Sequence, residues 1–135
     1  MKYIELFESL SPDRIEACGD FVSPDIQFTD PFNDICGIDA FKRLLYKTLN
    51  DVESATFNVT HQSKDKEVLF VRWEFSGVVK GLGDWDVVGM SEIHFDDLGR
   101  VVRHIDHWDA SEQFYAKLPI IGFLLRQIRK RLQVS

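Results

Sequence analysis

Between residues 55 and 108 the apolar residues of this chain recur at every second position, whereas before that stretch they recur every three or four. This single change of period constrains the fold most. It calls for helices first and a run of neighbouring strands afterwards, and the apolar face of those strands is buried only if the helices fold back over it. Four strands are predicted, at 56–62, 68–79, 85–95 and 101–108. The segments between them, Ser63-Lys64-Asp65-Lys66, Gly81-Leu82-Gly83-Asp84 and Asp96-Asp97-Leu98-Gly99, are short and rich in turn formers, which suits antiparallel hairpins.

The helices ahead of the strands are read from their stripes. Tyr3, Leu6, Phe7 and Leu10 lie on one helical face, and Ser11-Pro12 then caps a second short helix that turns Ile15, Cys18, Phe21 and Val22 inward. Pro24-Asp25 ends it, and 26–29 alternates as a short strand closing at Asp30-Pro31. Gly37 opens a longer helix with Phe41, Leu44, Leu45, Thr48 and Val52 on one face. After the strands, Asp109 caps a last helical region that Pro119 interrupts, and its final part sets Ile121, Leu124, Leu125, Ile128 and Leu132 opposite Arg126, Arg129 and Lys130.

A curved antiparallel sheet bent around helices leaves one end incompletely filled, so the expected architecture is a single α+β domain over 1–135, cone-shaped, with a pocket at the open end. Eleven Phe, three Trp and three Tyr supply its lining. The net charge of −6 argues against nucleic acid as a partner, since phosphate backbones attract clustered Lys and Arg. Two cysteines without CxxC spacing indicate neither a disulfide framework nor a zinc site, and a reduced, cytoplasmic setting is expected. The N-terminal MKYIELFESLSPD lacks the apolar run of a secretory signal, and no stretch approaches the roughly 18 consecutive apolar residues of a membrane span.

On the last predicted strand, alternation groups Val102, His104, Asp106 and Trp108 on one face against Val101, Arg103, Ile105 and His107 on the other. A His-x-Asp-x-Trp face is the sharpest chemical signal in the chain, because buried charge is costly unless paired or used. Asp30 has two readings, a turn cap before Pro31 or a carboxylate facing Asp106 across the pocket, where mutual repulsion and desolvation would raise at least one pKa. His104 and Asp106 are either a buried hydrogen-bonded pair or a proton relay. A metal site built on Asp30, His104 and Asp106 has only a His-x-Asp pair behind it, and no metal or cofactor is expected.

The stretches FVSPDIQFTDP (21–31) and GMSEIHFDDLGRVVRHIDHWDASEQFYAKLP (89–119), together with the element order, resemble the nuclear transport factor 2-like superfamily in its ketosteroid isomerase and SnoaL-like cyclase branch. The resemblance implies a cystatin-like cone over nearly the whole chain. It places Asp30 at the isomerase's catalytic base and turns His104, Asp106 and Trp108 inward, with Leu69, Val71, Trp73 and Phe75 and with Ser91, Ile93 and Phe95 on the neighbouring strands. The isomerase's two oxyanion donors fall on Leu6 and Ser91, leaving Tyr3 or Tyr46 as displaced donors. Arg72 and Arg103 face outward, against an epoxide-hydrolase-like site, and a homodimer is implied by the family's habit of pairing sheet faces.

Three functions follow as expectations. One is a cofactor-independent isomerase or cyclase acting on a small apolar, carbonyl-bearing molecule, with Asp30, His104 and Asp106 catalytic and Trp73, Ser91 and Trp108 at the ligand. The others are a non-catalytic binder of a hydrophobic metabolite and a protein-interaction module. The last helix is expected to cover the pocket mouth or a dimer partner, with an anionic membrane surface as the other reading of its basic residues.

Overall fold

The computed structural model describes residues 1–134. Two helices, α1 (Lys2–Glu8) and α2 (Pro12–Glu16), lead through a 3₁₀ turn (Ala17–Asp20) into β1 (Val22–Thr29) and a short β2 (Asp34–Cys36). Helix α3 (Ile38–Asp51) follows, then β3 (Val52–Asp65), β4 (Val68–Val79), β5 (Gly83–Phe95) and β6 (Val101–His107). The chain ends in α4 (Ala110–Gln113), a 3₁₀ turn (Tyr115–Lys117) and α5 (Pro119–Leu132).

Local chemistry sets the boundaries. Ser11 Oγ accepts the Arg14 N–H at 3.3 Å with Pro12 at the first helical position, so α2 starts where cap and proline agree. Gly37 begins α3 at φ 96°, a left-handed conformation that a side chain would strain, and its N–H donates to the Ile26 carbonyl. Asp109 caps α4 by accepting the Glu112 N–H at 3.1 Å.

The six strands form one curved, unclosed sheet in the order β2-β1-β6-β5-β4-β3. All pairings are antiparallel except β1 with β6, which run parallel with Phe28 opposite His104. β1 begins at Val22, four residues before the predicted start, because its pairing shifts between Val22 and Gln27 and so tolerates Pro24, which has no N–H for a ladder. β3 likewise extends beyond the alternating 56–62 stretch in both directions, since β4 pairs with it along its length.

The concave face is covered by the N-terminal helices and α3. Tyr3 and Leu6 of α1, Ile15 of α2, and Phe41 and Leu45 of α3 are buried against Val22, Ile26, Phe28, Leu69, Val71, Trp73, Val87, Ile93 and Val101. A fully buried Phe41 contributes about 1.5–3 kcal/mol. Trp73 lies opposite Gly89, and a Cβ there would sit 2.5 Å from the indole, so glycine is what allows the ring to lie flat on β5. Cys18 is buried, Cys36 is exposed, and both are free thiols.

One facing assignment is corrected. The register steps from Phe95↔Val101 to His94↔Arg103, leaving Val102 as the extra residue of a bulge. Val101 is therefore the residue fully buried in the core, while Val102 is only half-buried. Strict alternation across 101–108 cannot detect an inserted residue of the same apolar type.

Candidate functional site

Burial of a histidine in an aromatic core requires that both ring nitrogens find partners. His104 is buried among Tyr3, Phe7 and Phe28, with the Phe28 ring centroid 4.6 Å away. Its Nδ1 lies 2.7 Å from Tyr3 Oη, and its Nε2 lies 2.5 Å from Asp106 Oδ1. The same Asp106 oxygen accepts Ser91 Oγ–H at 2.5 Å, and Ser91 Oγ in turn accepts the Trp73 indole N–H at 2.8 Å.

The direction of each hydrogen bond follows from the ends of the chain. Burial, reinforced by the Asp106 charge, pushes the Tyr3 phenol well above its usual pKa, so it remains a donor. Its one partner among the described residues is His104 Nδ1, which must therefore accept, leaving the proton on Nε2 to be given to Asp106. Tyr3 thus fixes the imidazole tautomer, and donors from two sides converge on Asp106 Oδ1. The other oxygen, Oδ2, has no hydrogen bond among the described residues, and Asp106 lines a cavity of about 890 Å³.

That cavity lies between α3 and the sheet, open to solvent. Phe7, Phe28, Phe57, Phe75, Trp85 and Val87 form much of its wall, and Asp30, Trp73, His104, Asp106 and Trp108 all line it. Trp108 packs edge-on against Trp85 and Phe32 at centroid distances of 5.7 and 5.4 Å. Trp73 and Trp85 spend their indole N–H groups on Ser91 and the Gln113 carbonyl, whereas Trp108 Nε1 has no acceptor among the described residues.

Asp30 combines both roles read for it. Its Oδ1 accepts the backbone N–H of Phe32 at 2.8 Å and of Asn33 at 2.7 Å, a turn cap, and the carboxylate also lines the cavity. Burial raises its pKa, and the charge of Asp106 adds to the shift against the hydrogen bonds from Phe32 and Asn33. Two carboxylates thus share one cavity, and the field of one reaches the other.

The placements of Ser91, Tyr46 and Tyr3 differ from those expected. Ser91 is not on the cavity wall but buried behind Asp106. Tyr46 does not line the cavity and has its hydroxyl 2.5 Å from Glu16 Oε2, and Tyr3 is occupied by His104. As expected, Arg72 bonds Thr60 and Glu74 and Arg103 is exposed, and no arginine among the described residues lines the cavity. No group of three His, Cys, Asp or Glu side chains placed to hold a metal occurs among the described residues. The link from Tyr3 to His104 was missed in the sequence because its partners lie 101 residues apart.

A curved, unclosed mixed sheet covered by helices, with His104 and Asp106 together on β6, matches the α+β nuclear transport factor 2-like fold. A family model described as the SnoaL-like domain matches residues 3–104, and the chain belongs to that family. A search of curated proteins finds no match. Among solved structures, the chain is similar to a protein of ketosteroid isomerase-like fold from Catenulispora acidiphila in complex with trimethylamine, at 13% identity and TM-score 0.73 over 87% of this chain and 91% of that one. A SnoaL-like polyketide cyclase from Agrobacterium tumefaciens is similar at 19% identity and TM-score 0.66, over 80% and 88% of the two chains. An LEH-like epoxide hydrolase from M. tuberculosis is similar at 15% and 0.68, over 97% and 92%. At such identities the likeness establishes the fold, and activity must be argued from the residues.

Proposed function

We propose that this protein is a cofactor-independent acid/base enzyme of isomerase or cyclase type, acting on an apolar molecule that carries a carbonyl group. The observation that carries the reading is the loading of Asp106. His104 and Ser91 both donate to Oδ1, so the carboxylate is held rigid while Oδ2 is left for the cavity.

In the reaction so read, Asp106 Oδ2 removes a proton from the carbon beside the ligand carbonyl. The C–H electron pair becomes the double bond of an enol, and the carbonyl oxygen takes a proton from Asp30, whose raised pKa favours the protonated form. Return of a proton to a different carbon completes an isomerisation, and attack of the enol carbon on a second carbonyl completes a ring closure. Trp108 Nε1–H is available as a further donor to the developing oxyanion. Tyr3, His104, Ser91 and Trp73 touch no reacting atom; they position Asp106.

The test is carbon-bound hydrogen exchange. The protein is incubated in D₂O with a panel of apolar ketones and exchange is followed by NMR. Wild type is expected to accelerate exchange on members that bind, and Asp106→Asn to lose it with binding retained. Equal exchange in both proteins would remove the proposal.

An apolar, open cavity also suits a binder that only stores a hydrophobic metabolite. Native mass spectrometry of the purified protein separates the two, since a retained molecule without exchange or conversion favours storage.

A further inference from the structure

Helix α5 is mounted with its apolar side outward. Gly122 is its one buried residue, so close to the preceding turn that a Cβ would lie 2.3 Å from the Ala116 carbonyl oxygen. Arg126 donates to that same oxygen at 3.0 Å, and Arg129 pairs with Glu112 at 3.7 Å. Gly122, Arg126 and Arg129 therefore mark the side facing the body. The opposite side, at helical spacing, carries Ile121, Leu124, Ile128 and Leu132, which are 47%, 55%, 57% and 80% exposed. None of these residues lines the cavity, so the helix does not cover its mouth.

Charge is segregated in the same place. Residues 117–135 contain Lys117, Arg126, Arg129, Lys130 and Arg131 and no acid, a net of +5, which leaves the first 116 residues of a chain of net −6 at −11. The apolar surface also continues beyond the helix. Leu82, more than half exposed at the β4–β5 turn, shares a crevice with Leu118 and Phe114, and Leu82 and Phe114 also line the large cavity.

An occupant of this surface must be apolar at the stripe and anionic around it. A second copy meeting stripe to stripe would bring two +5 segments together. An anionic bilayer supplies both an acyl layer and negative headgroups in one face. We propose that α5 is a peripheral anchor that lies in the headgroup boundary of an anionic membrane and holds the cavity rim at Leu82 and Phe114 against the apolar layer. No helix among the described residues is long and apolar enough to cross a membrane, so the helix rests on the surface.

The test is flotation of the full-length protein with phosphatidylcholine vesicles made with and without phosphatidylglycerol. Expected is flotation with the anionic vesicles only. It is lost in Leu124→Glu/Ile128→Glu and weakened at least about tenfold in Lys130→Glu/Arg131→Glu. All four positions are exposed, so circular dichroism should match wild type. Wild type left unfloated by both vesicle types would overturn the proposal. So would equal flotation on neutral vesicles, or a dimer that the same apolar substitutions dissociate while vesicles have no effect.

Discussion

Replacing Tyr3 by Phe removes one oxygen atom from the core and tests the direction of the whole relay. Phe fills the same space, so Leu6, Phe7 and Phe41 keep their neighbour. The loss is confined to the bond to His104 Nδ1, which is left unpaired in an aromatic enclosure. A buried acceptor stripped of its donor costs about 1–3 kcal/mol, and urea unfolding should show a lowered midpoint at unchanged slope. The pH dependence is a sharper signature. Tyr3 is raised in the folded state, so its contribution is complete below the unfolded phenol's pKa of about 10 and is lost as pH rises through the folded value. Between those two values the folding equilibrium constant of wild type should fall by about a further tenfold per pH unit relative to Tyr3→Phe, because only wild type must keep this phenol protonated to stay folded. Histidine ¹⁵N NMR reads the tautomer directly. Wild-type His104 should carry its proton on Nε2, and in Tyr3→Phe the Asp106 carboxylate should hold it there while the Nδ1 resonance shifts on losing its donor. A variant with wild-type stability, wild-type alkaline behaviour and an unshifted His104 Nδ1 resonance would refute the reasoning.

The other predictions follow from the same geometry. Asp30→Asn keeps an oxygen for the Phe32 and Asn33 N–H groups while removing a desolvated charge. Because the raised pKa means ionised Asp30 loses stability as pH climbs from the unfolded value through the folded one, the variant should be as stable as wild type at neutral pH or more so, by thermal melts, while exchange activity falls. In wild type, activity should decline as pH rises through the Asp30 pKa, since its proton is the one donated. Ser91→Ala strands the Trp73 indole N–H and removes one donor from Asp106, so it should cost about 1–3 kcal/mol and change kcat more than KM for any substrate found. Gly89→Ala drives a methyl group into the Trp73 ring and should destabilise by about 1–3 kcal/mol, with a shifted tryptophan emission.

Much of the fold was readable because each helix keeps its stripe. Tyr3, Leu6, Ile15, Phe41 and Leu45 were identified as inward from spacing alone, and all are buried. β4 was found with its full bounds, Val68–Val79, since apolar alternation runs close to both ends of it. β2 was not, because Asp34–Cys36 is three residues long and has no period to read. The bulge at Val102 escaped for a similar reason. Pattern reasoning placed His104, Asp106 and Trp108 together, and all three line the cavity. What it did not supply was the order of the network. Nothing local marks Tyr3 as the partner of His104, or Ser91 as a support behind Asp106 rather than a wall residue, since these depend on α1 crossing β6 and on the cross-strand pairing of Ser91 with Asp106. The outward mounting of α5 was equally hidden, because an amphipathic stripe shows which face is apolar and not what that face meets.

A crystal structure with an unreactive apolar ketone bound tests the central claim most directly. The carbonyl-bearing end should sit at the bottom of the cavity, its neighbouring carbon about 3–3.5 Å from Asp106 Oδ2 and its oxygen toward Asp30 or Trp108. A ligand lodged only near the end of α3 around Thr48 and Asp51, with Asp106 facing water, would contradict it.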